Sequence, residues 1–208
     1  MPDEAKRATL PRVETVNVVT MESGHHFAKL LFGGEDVGDA CDETKILIWP
    51  GKEDDADDPS DAETESFHAL TNEICRRVYE AARDQVAETF VRVANAALDE
   101  ERTRVVAPLS PPRIETVEVV THEQGLVFAE RVYEESIGTE YFSVPFGEMN
   151  ILVWPDDDND GPETEAEKHF TELTDEIRDR LHDETKELIA EAFVRVANDV
   201  ISRERNRR

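Results

Sequence analysis

The sequence contains two copies of one unit, and this internal duplication is the feature that most constrains the fold. Three blocks recur in the same order: RVETVNVVT at 12–20 and RIETVEVVT at 113–121, ILIWP at 46–50 and ILVWP at 151–155, and FVRVAN at 90–95 and 193–198. Residues 63–98 also align without a gap to residues 166–201, with 14 identities in 36 positions. The sequence therefore predicts two repeats that together form one pseudo-symmetric globule.

The boundary between the repeats falls in the segment VVAPLSPP at 105–112. Its three prolines are typical of a short, stiff linker. We accordingly assign residues 1–107 to the first repeat and residues 108–208 to the second. Two copies are too few for a solenoid, so the pattern favours a pair related by a pseudo-twofold axis.

Each repeat begins with a pattern that predicts three strands. Alternating β-branched residues predict a first strand at 13–20, and MESG at 21–24 and HEQG at 122–125 predict turns. Second strands are predicted at Phe27–Phe32 and Val127–Tyr133. Third strands, Lys45–Trp49 and Asn150–Trp154, are each closed by a proline, which cannot continue a ladder of hydrogen bonds.

A long helix is predicted to complete each repeat. No glycine or proline occurs from Glu63 to Arg104 or from Glu163 to the C-terminus, and the apolar residues recur every three or four positions. A helix of this length exceeds a short sheet, so part of it must pack on the other repeat. The predicted fold class is α+β: a tandem duplication of a β-β-β-α unit, with antiparallel sheets and two long helices packed about a pseudo-twofold axis.

Acidic residues dominate the composition, with 49 Asp and Glu against 23 Lys and Arg and a formal net charge of −26. The excess is spread over both repeats, which favours adaptation to a salt-rich cytoplasm over a local patch for a basic partner. Arginine also outnumbers lysine, as in proteins of halophiles. The charged N-terminus MPDEAKRATL and the lack of long apolar runs indicate a cytoplasmic protein without a membrane span.

The loop DDDNDGPETEAE at Asp156–Glu167 matches the spacing of a calcium-binding EF-hand loop. It follows a strand rather than a helix, places Pro162 and Glu163 at the seventh and eighth positions, and has no counterpart in the first repeat. Acidic residues before a helix also act as N-terminal caps. We interpret the loop as a solvated cap, with calcium or magnesium binding as the alternative.

The histidines and cysteines form no established motif. His25, His26 and His122 would form a zinc or acid–base cluster only if the two predicted turns met. Cys41 and Cys75 make no CxxC pair and are interpreted as reduced, structural thiols. The sequence therefore predicts no catalytic residue, no metal site and no cofactor.

Four other features have a structural interpretation. Arg92, Asn95, Arg195 and Asn198, which recur within FVRVAN, are predicted to pack in a helix–helix seam, with a shared site as the alternative. Trp49 and Trp154 are predicted to cover the core or an interface. The glycines at 33–34 are interpreted as a strand connection rather than a phosphate loop, and the basic tail at 202–208 as a helix C-terminus rather than a nucleic-acid site.

The sequence favours a non-enzymatic interaction or assembly protein that self-associates, or binds a protein partner, through its helical faces. One alternative is a small-molecule or metal-binding protein, or an enzyme, with a site in the cleft between the repeats. The aromatic segment YFSVPF at 141–146, present in the second repeat alone, would suit a single such site. The second alternative is a DNA-binding regulator with an acidic body.

Overall fold

Four helices account for most of the chain that is described. The computed structural model describes residues 14–15, 18–33, 46–48, 61–104, 115–116, 119–135, 151–153 and 165–207. In chain order the elements are β1 (Glu14–Thr15), α1 (Met21–Gly33), β2 (Leu47–Ile48), α2 (Asp61–Arg104), β3 (Glu115–Thr116), α3 (His122–Glu135), β4 (Leu152–Val153) and α4 (Glu165–Arg207). Each repeat thus contributes a short helix and a long one.

The α+β prediction, with its antiparallel sheets, is wrong. The β structure of the described residues amounts to two pairs of two-residue strands, in which β1 lies antiparallel to β2 and β3 antiparallel to β4. Pairs this short form no layer against which a helix could pack. The predicted second strands, Phe27–Phe32 and Val127–Tyr133, lie inside helices α1 and α3. The fold of the described chain is helical.

The predicted turns are the first turns of the short helices. In the second repeat, the Thr121 N–H donates to Gln124 Oε1 (2.9 Å), and the Gln124 N–H donates to Thr121 Oγ1 (3.3 Å). This reciprocal pair is a capping box, which satisfies backbone donors that the first helical turn leaves free. In the first repeat the Ser23 N–H donates to Thr20 Oγ1 at 3.4 Å. The helices start where the sequence analysis placed the turns because these caps favour a helix start.

The long helices α2 and α4 contain 44 and 43 residues and pack against each other. At 1.5 Å per residue each is about 65 Å long. Three contacts give their relative direction: Arg77 with Asp199, Arg92 with Glu184, and Arg180 with Glu100. As the residue number rises on one helix it falls on the other, so α2 and α4 are antiparallel.

The short helices pack on the long helix of the other repeat. Helix α1 packs along α4, and α3 packs along α2, whereas packing of a short helix on the long helix of its own repeat is at most marginal in the described residues. The resulting core is continuous through both repeats and includes Phe27, Phe67, Phe90, Phe128, Phe170 and Phe193, each at most 1% exposed. Within the described ranges, no helix is both long and apolar enough to cross a membrane.

Candidate interaction surfaces

Two phenylalanine stacks join the repeats at the centre of the molecule. Phe27 of α1 stacks on Phe193 of α4 with a centroid distance of 4.0 Å, and Phe128 of α3 stacks on Phe90 of α2 at 3.8 Å. Phe90 and Phe193 are the first residues of the two FVRVAN motifs. Burial of an aromatic ring is among the largest apolar contributions that one side chain makes. These stacks therefore link each short helix to the recurrent motif of the other repeat.

The asparagine of each FVRVAN motif binds the backbone just before a short helix. Asn95 Nδ2 donates to the carbonyl of Val120 (3.0 Å), and the Val120 N–H donates to Asn95 Oδ1 (2.7 Å). Asn198 makes the same two bonds with Val19, at 3.1 and 2.9 Å. We call each of these pairs an asparagine clamp. The clamps fix where each short helix begins on the long helix of the other repeat.

A second hydrogen bond orients each clamp. Asn95 Nδ2 also donates to the Val91 carbonyl, and Asn198 Nδ2 to the Val194 carbonyl, both at 2.8 Å. Each carbonyl lies one turn earlier on the asparagine's own helix, so the bond holds the amide group in one orientation. The two asparagines therefore pack with a specific geometry, in which the side-chain amide forms hydrogen bonds with both the N–H and the carbonyl of a buried valine.

A glycine on each short helix allows close contact with the long helix. A Cβ atom placed on Gly24 would lie 2.7 Å from the carbonyl oxygen of Ala190, and one on Gly125 would lie 2.7 Å from that of Ala87. No side chain fits at such a distance without movement of the backbone. The sequence analysis assigned these glycines to turns. The spacing GxxFA, present at 24–28 and 125–129, is the signal that would have identified a helix crossing.

The recurrent arginines of FVRVAN differ between the repeats. Arg92 pairs with Glu184 across the two long helices, and the hydrogen bond that it donates to that carboxylate raises the pKa of Arg92. Its counterpart Arg195 is exposed and forms no ion pair with another described residue. The position corresponding to Glu184 in the first repeat is Ala81, which explains this difference. The Arg92 pair therefore distinguishes the first repeat from the second.

Most large apolar residues are buried, but four described ones are exposed, and all lie on a short helix or just before one. Val18 and Val119 occupy the same position in the two repeats and are 67% and 63% exposed. Met21, the first residue of α1, and Val127, in the second turn of α3, are both 39% exposed. We call Val18 the first apolar site and Val119 the second. Each site lies beside an asparagine clamp.

The histidines do not assemble as a metal site. His25 pairs with Glu187 (2.9 Å), and His169 pairs with Glu101 (2.6 Å). Within the described ranges no three His, Cys, Asp or Glu side chains lie together in a way that would hold a metal ion. The cluster of His25, His26 and His122 considered from the sequence is therefore not formed.

Several sequence predictions fall partly or wholly outside the described residues. The loop Asp156–Glu167 is described only from Glu165, where α4 begins. Cys41, Trp49, Trp154 and Gly34 lie outside the described ranges, whereas Gly33 ends α1. The basic tail continues α4 to Arg207, and Arg203 pairs with Asp199 at 3.0 Å. Cys75 is buried on α2.

One buried polar group near Cys75 lacks a partner. The hydroxyl of Tyr133, on the last turn of α3, is buried and has no hydrogen-bond partner among the described residues. Its ring lies 5.5 Å from that of Tyr79 on α2, so the group sits between the two repeats. Burial strongly raises the pKa of Tyr133, and the neighbouring Cys75 and Tyr79 add to this effect. The phenol is therefore neutral and has a free donor.

Comparisons with known proteins found no match: no family model, no curated protein and no solved structure matches the chain.

Proposed function

We propose that this chain is a non-enzymatic assembly protein that binds a second copy of itself through its two apolar sites. The observation that carries the proposal is the exposure of Val18 and Val119, which stand at the same position in both repeats. A chain with 35% charged residues has ample polar side chains for its surface. Exposed apolar residues are most often scattered singly, so their occurrence at equivalent places supports a shared role.

The position of the two sites supports contact between copies. Each site is held by a rigid element, because the residue that follows each exposed valine, Val19 or Val120, is buried and clamped by an asparagine. A chain with two equivalent sites is bivalent, and equivalent surfaces suit the self-complementary contacts of symmetric assemblies. The net charge of −26 opposes contact between copies, so we expect association to require salt.

The test is the mass of the chain in solution, measured by light scattering behind size exclusion over a wide range of protein concentration. In about 2 M KCl, where the Debye length is only a few ångström, we expect a mass above 23.6 kDa that rises with protein concentration. The variant Val18→Asp/Val119→Asp should lose this rise of mass with protein concentration and keep an unchanged circular dichroism spectrum.

A matched control carries the same added charge elsewhere. Ala69→Asp/Ala81→Asp places two carboxylates at exposed positions of α2, and it should associate as the original chain does. If the unmodified chain stays monomeric at every concentration, or if both double variants lose association equally, the apolar sites are not the contact surface.

A second candidate function rests on the Tyr133 hydroxyl. A buried donor without a partner is expensive to leave unsatisfied, and it lies between the repeats, where the sequence analysis placed an alternative ligand site. We propose, as this second candidate, that a small molecule with a hydrogen-bond acceptor binds there. Thermal unfolding with a panel of metabolites at high salt tests it: a ligand should stabilise the original chain and lose its effect on Tyr133→Phe.

A further inference from the structure

The packing of each short helix on the other repeat has a consequence for how two chains can combine. The contacts that hold α1 and α3 are supplied by the opposite repeat: the two phenylalanine stacks, the two asparagine clamps and the two glycine crossings. Helix α3 packs mainly on α2 and α1 packs mainly on α4, with a smaller contact between α1 and α3 themselves. A repeat therefore needs a partner repeat, whichever chain supplies it.

We propose that two copies of this chain exchange repeats, so that the first repeat of each chain packs with the second repeat of the other in a closed dimer. The surface involved is the seam between repeats, and the partner it fits is a second copy of this chain. This interaction is separate from the exposed valines, because it uses interior residues and buries the same contacts that the single chain buries.

The charged contacts of the seam disfavour a pairing of two first repeats. Arg92 of the first repeat pairs with Glu184 of the second, but in a pairing of two first repeats it would meet Ala81 instead. His25 likewise pairs with Glu187, whose counterpart in the first repeat is Asp84, a shorter side chain. A pairing of two first repeats thus loses ion pairs that the unlike pairing makes. When two chains exchange repeats reciprocally, both first repeats and both second repeats are occupied, so that dimer is closed.

The segment that joins the repeats sets the balance between the single chain and the dimer. Both forms contain the same seam, so their free energies differ mainly in the linker and in the entropy of association. The sequence VVAPLSPP at 105–112 is short and contains three prolines. Short, stiff connections favour exchange over closure within one chain. Interconversion requires the seam to open, so the two forms should separate as distinct species once folded.

A complementation experiment with the full chain tests the exchange. Gly24→Leu damages the first repeat and Gly125→Leu damages the second, because each inserts a side chain where a Cβ would lie 2.7 Å from a backbone oxygen. Each variant alone has a defective seam. When the two are denatured together and refolded in concentrated KCl, exchange joins the undamaged first repeat of one chain to the undamaged second repeat of the other.

We expect the refolded mixture to contain a dimer of the two variant chains, with a mass of twice 23.6 kDa. Its urea unfolding should include a transition at the midpoint of the original chain. One of its two seams is intact and the other carries both substitutions, so about half of the native helical signal should return in that transition. Differently tagged chains and successive affinity steps identify the mixed dimer.

The control mixes two variants of the same repeat. Gly24→Leu and Ala87→Leu both damage the first repeat, so no exchange supplies an intact seam and no recovery is expected. The proposal is overturned if the Gly24→Leu and Gly125→Leu mixture behaves as the sum of its separately refolded components. Repeating the experiment with Val18→Asp and Val119→Asp in every chain separates the two ideas: recovery should persist even if association through the apolar sites is lost.

Discussion

Gly24 and Gly125 are the residues on which the crossing of short and long helices depends most directly. Replacement of a helical glycine by alanine normally stabilises a helix by about 1 kcal/mol. Here the added Cβ would lie 2.7 Å from a carbonyl oxygen of the facing helix, so the two helices must move apart. We expect Gly24→Ala and Gly125→Ala each to lower the free energy of unfolding by about 1–3 kcal/mol.

Urea unfolding measures this effect, with Lys29→Ala as the control because Lys29 is exposed on the same helix as Gly24. A gain in stability in both glycine variants would mean that the helices tolerate a wider separation than the structure shows.

Replacement of Tyr133 should raise the free energy of unfolding, whereas replacement of the two glycines should lower it. Its hydroxyl is buried and has no partner in the part of the chain that is described, which costs about 1–3 kcal/mol, so Tyr133→Phe should raise stability at neutral pH. The pKa of Tyr133 in the folded chain is raised above its usual value of 10.0, chiefly by burial. The titration of this group therefore leaves the free energy of unfolding unchanged below pH 10. Above pH 10 that free energy declines, because the unfolded chain then releases a proton that the folded chain retains.

Urea midpoints between about pH 8 and pH 11 test both parts, since a phenylalanine has no proton to release in that range. Tyr133→Phe should show the shallower alkaline decline, whereas Tyr79→Phe, which removes only the smallest cause of the raised pKa of Tyr133, should keep most of the decline of the original chain. A loss of stability in Tyr133→Phe at neutral pH would instead show that the hydroxyl has a bound partner in solution.

At the scale of elements, the asparagine clamps determine where each short helix docks. Asn95→Ala removes two hydrogen bonds and leaves the N–H and carbonyl of Val120 unsatisfied, at a residue that is 1% exposed. We expect a loss of about 2–4 kcal/mol in the free energy of unfolding, and a similar loss for Asn198→Ala. Asn95→Asp keeps the acceptor but would place a carboxylate oxygen against the carbonyl oxygens of Val91 and Val120, so its effect should be at least as large as that of alanine.

Asn72, an exposed asparagine on α2, is the control, and Asn72→Ala should change stability by less than about 0.5 kcal/mol. Equal effects at Asn72 and Asn95 would contradict a specific role for the clamp.

The two kinds of helix differ in how far the sequence predicts them. The long helices are evident because an apolar residue recurs every three or four positions over a stretch without glycine or proline. The short helices were missed because β-branched residues precede them and a glycine stands in the first turn of each. Threonine followed three residues later by glutamine, at 121 and 124, was a capping signal that favours a helix.

The exchange of short helices between the repeats could not be predicted from either helix alone. Phe27, Ala28 and Leu31 would suit the long helix of their own repeat as well as that of the other, because the two long helices carry the same FVRVAN motif. The choice depends on the packing of all four helices together. The sequence predicts that the asparagines of that motif pack in a helix–helix seam, but the backbone groups that they bind belong to a distant segment, which sequence spacing does not reveal.

At the scale of the whole molecule, the net charge of −26 opposes the compact state. The described ion pairs offset little of this repulsion, because most are exposed and such pairs contribute about 0–1 kcal/mol each. Glu184 and Asp199 illustrate the point: hydrogen bonds from arginines lower the pKa of each, yet both carboxylates are more than one-third exposed. Salt should therefore weaken repulsion more than it weakens the ion pairs.

We therefore expect the urea midpoint to rise substantially between about 0.1 M and 2 M KCl, over which the Debye length falls from about 10 Å to a few ångström. The matched variant neutralises four exposed carboxylates on the described helices, in Glu88→Gln, Glu123→Gln, Glu130→Gln and Glu191→Gln together. If repulsion is the cause, this variant should be more stable at low salt and respond less to KCl. An unchanged response would show that KCl acts through the apolar core, because the burial of that core is the same in both proteins.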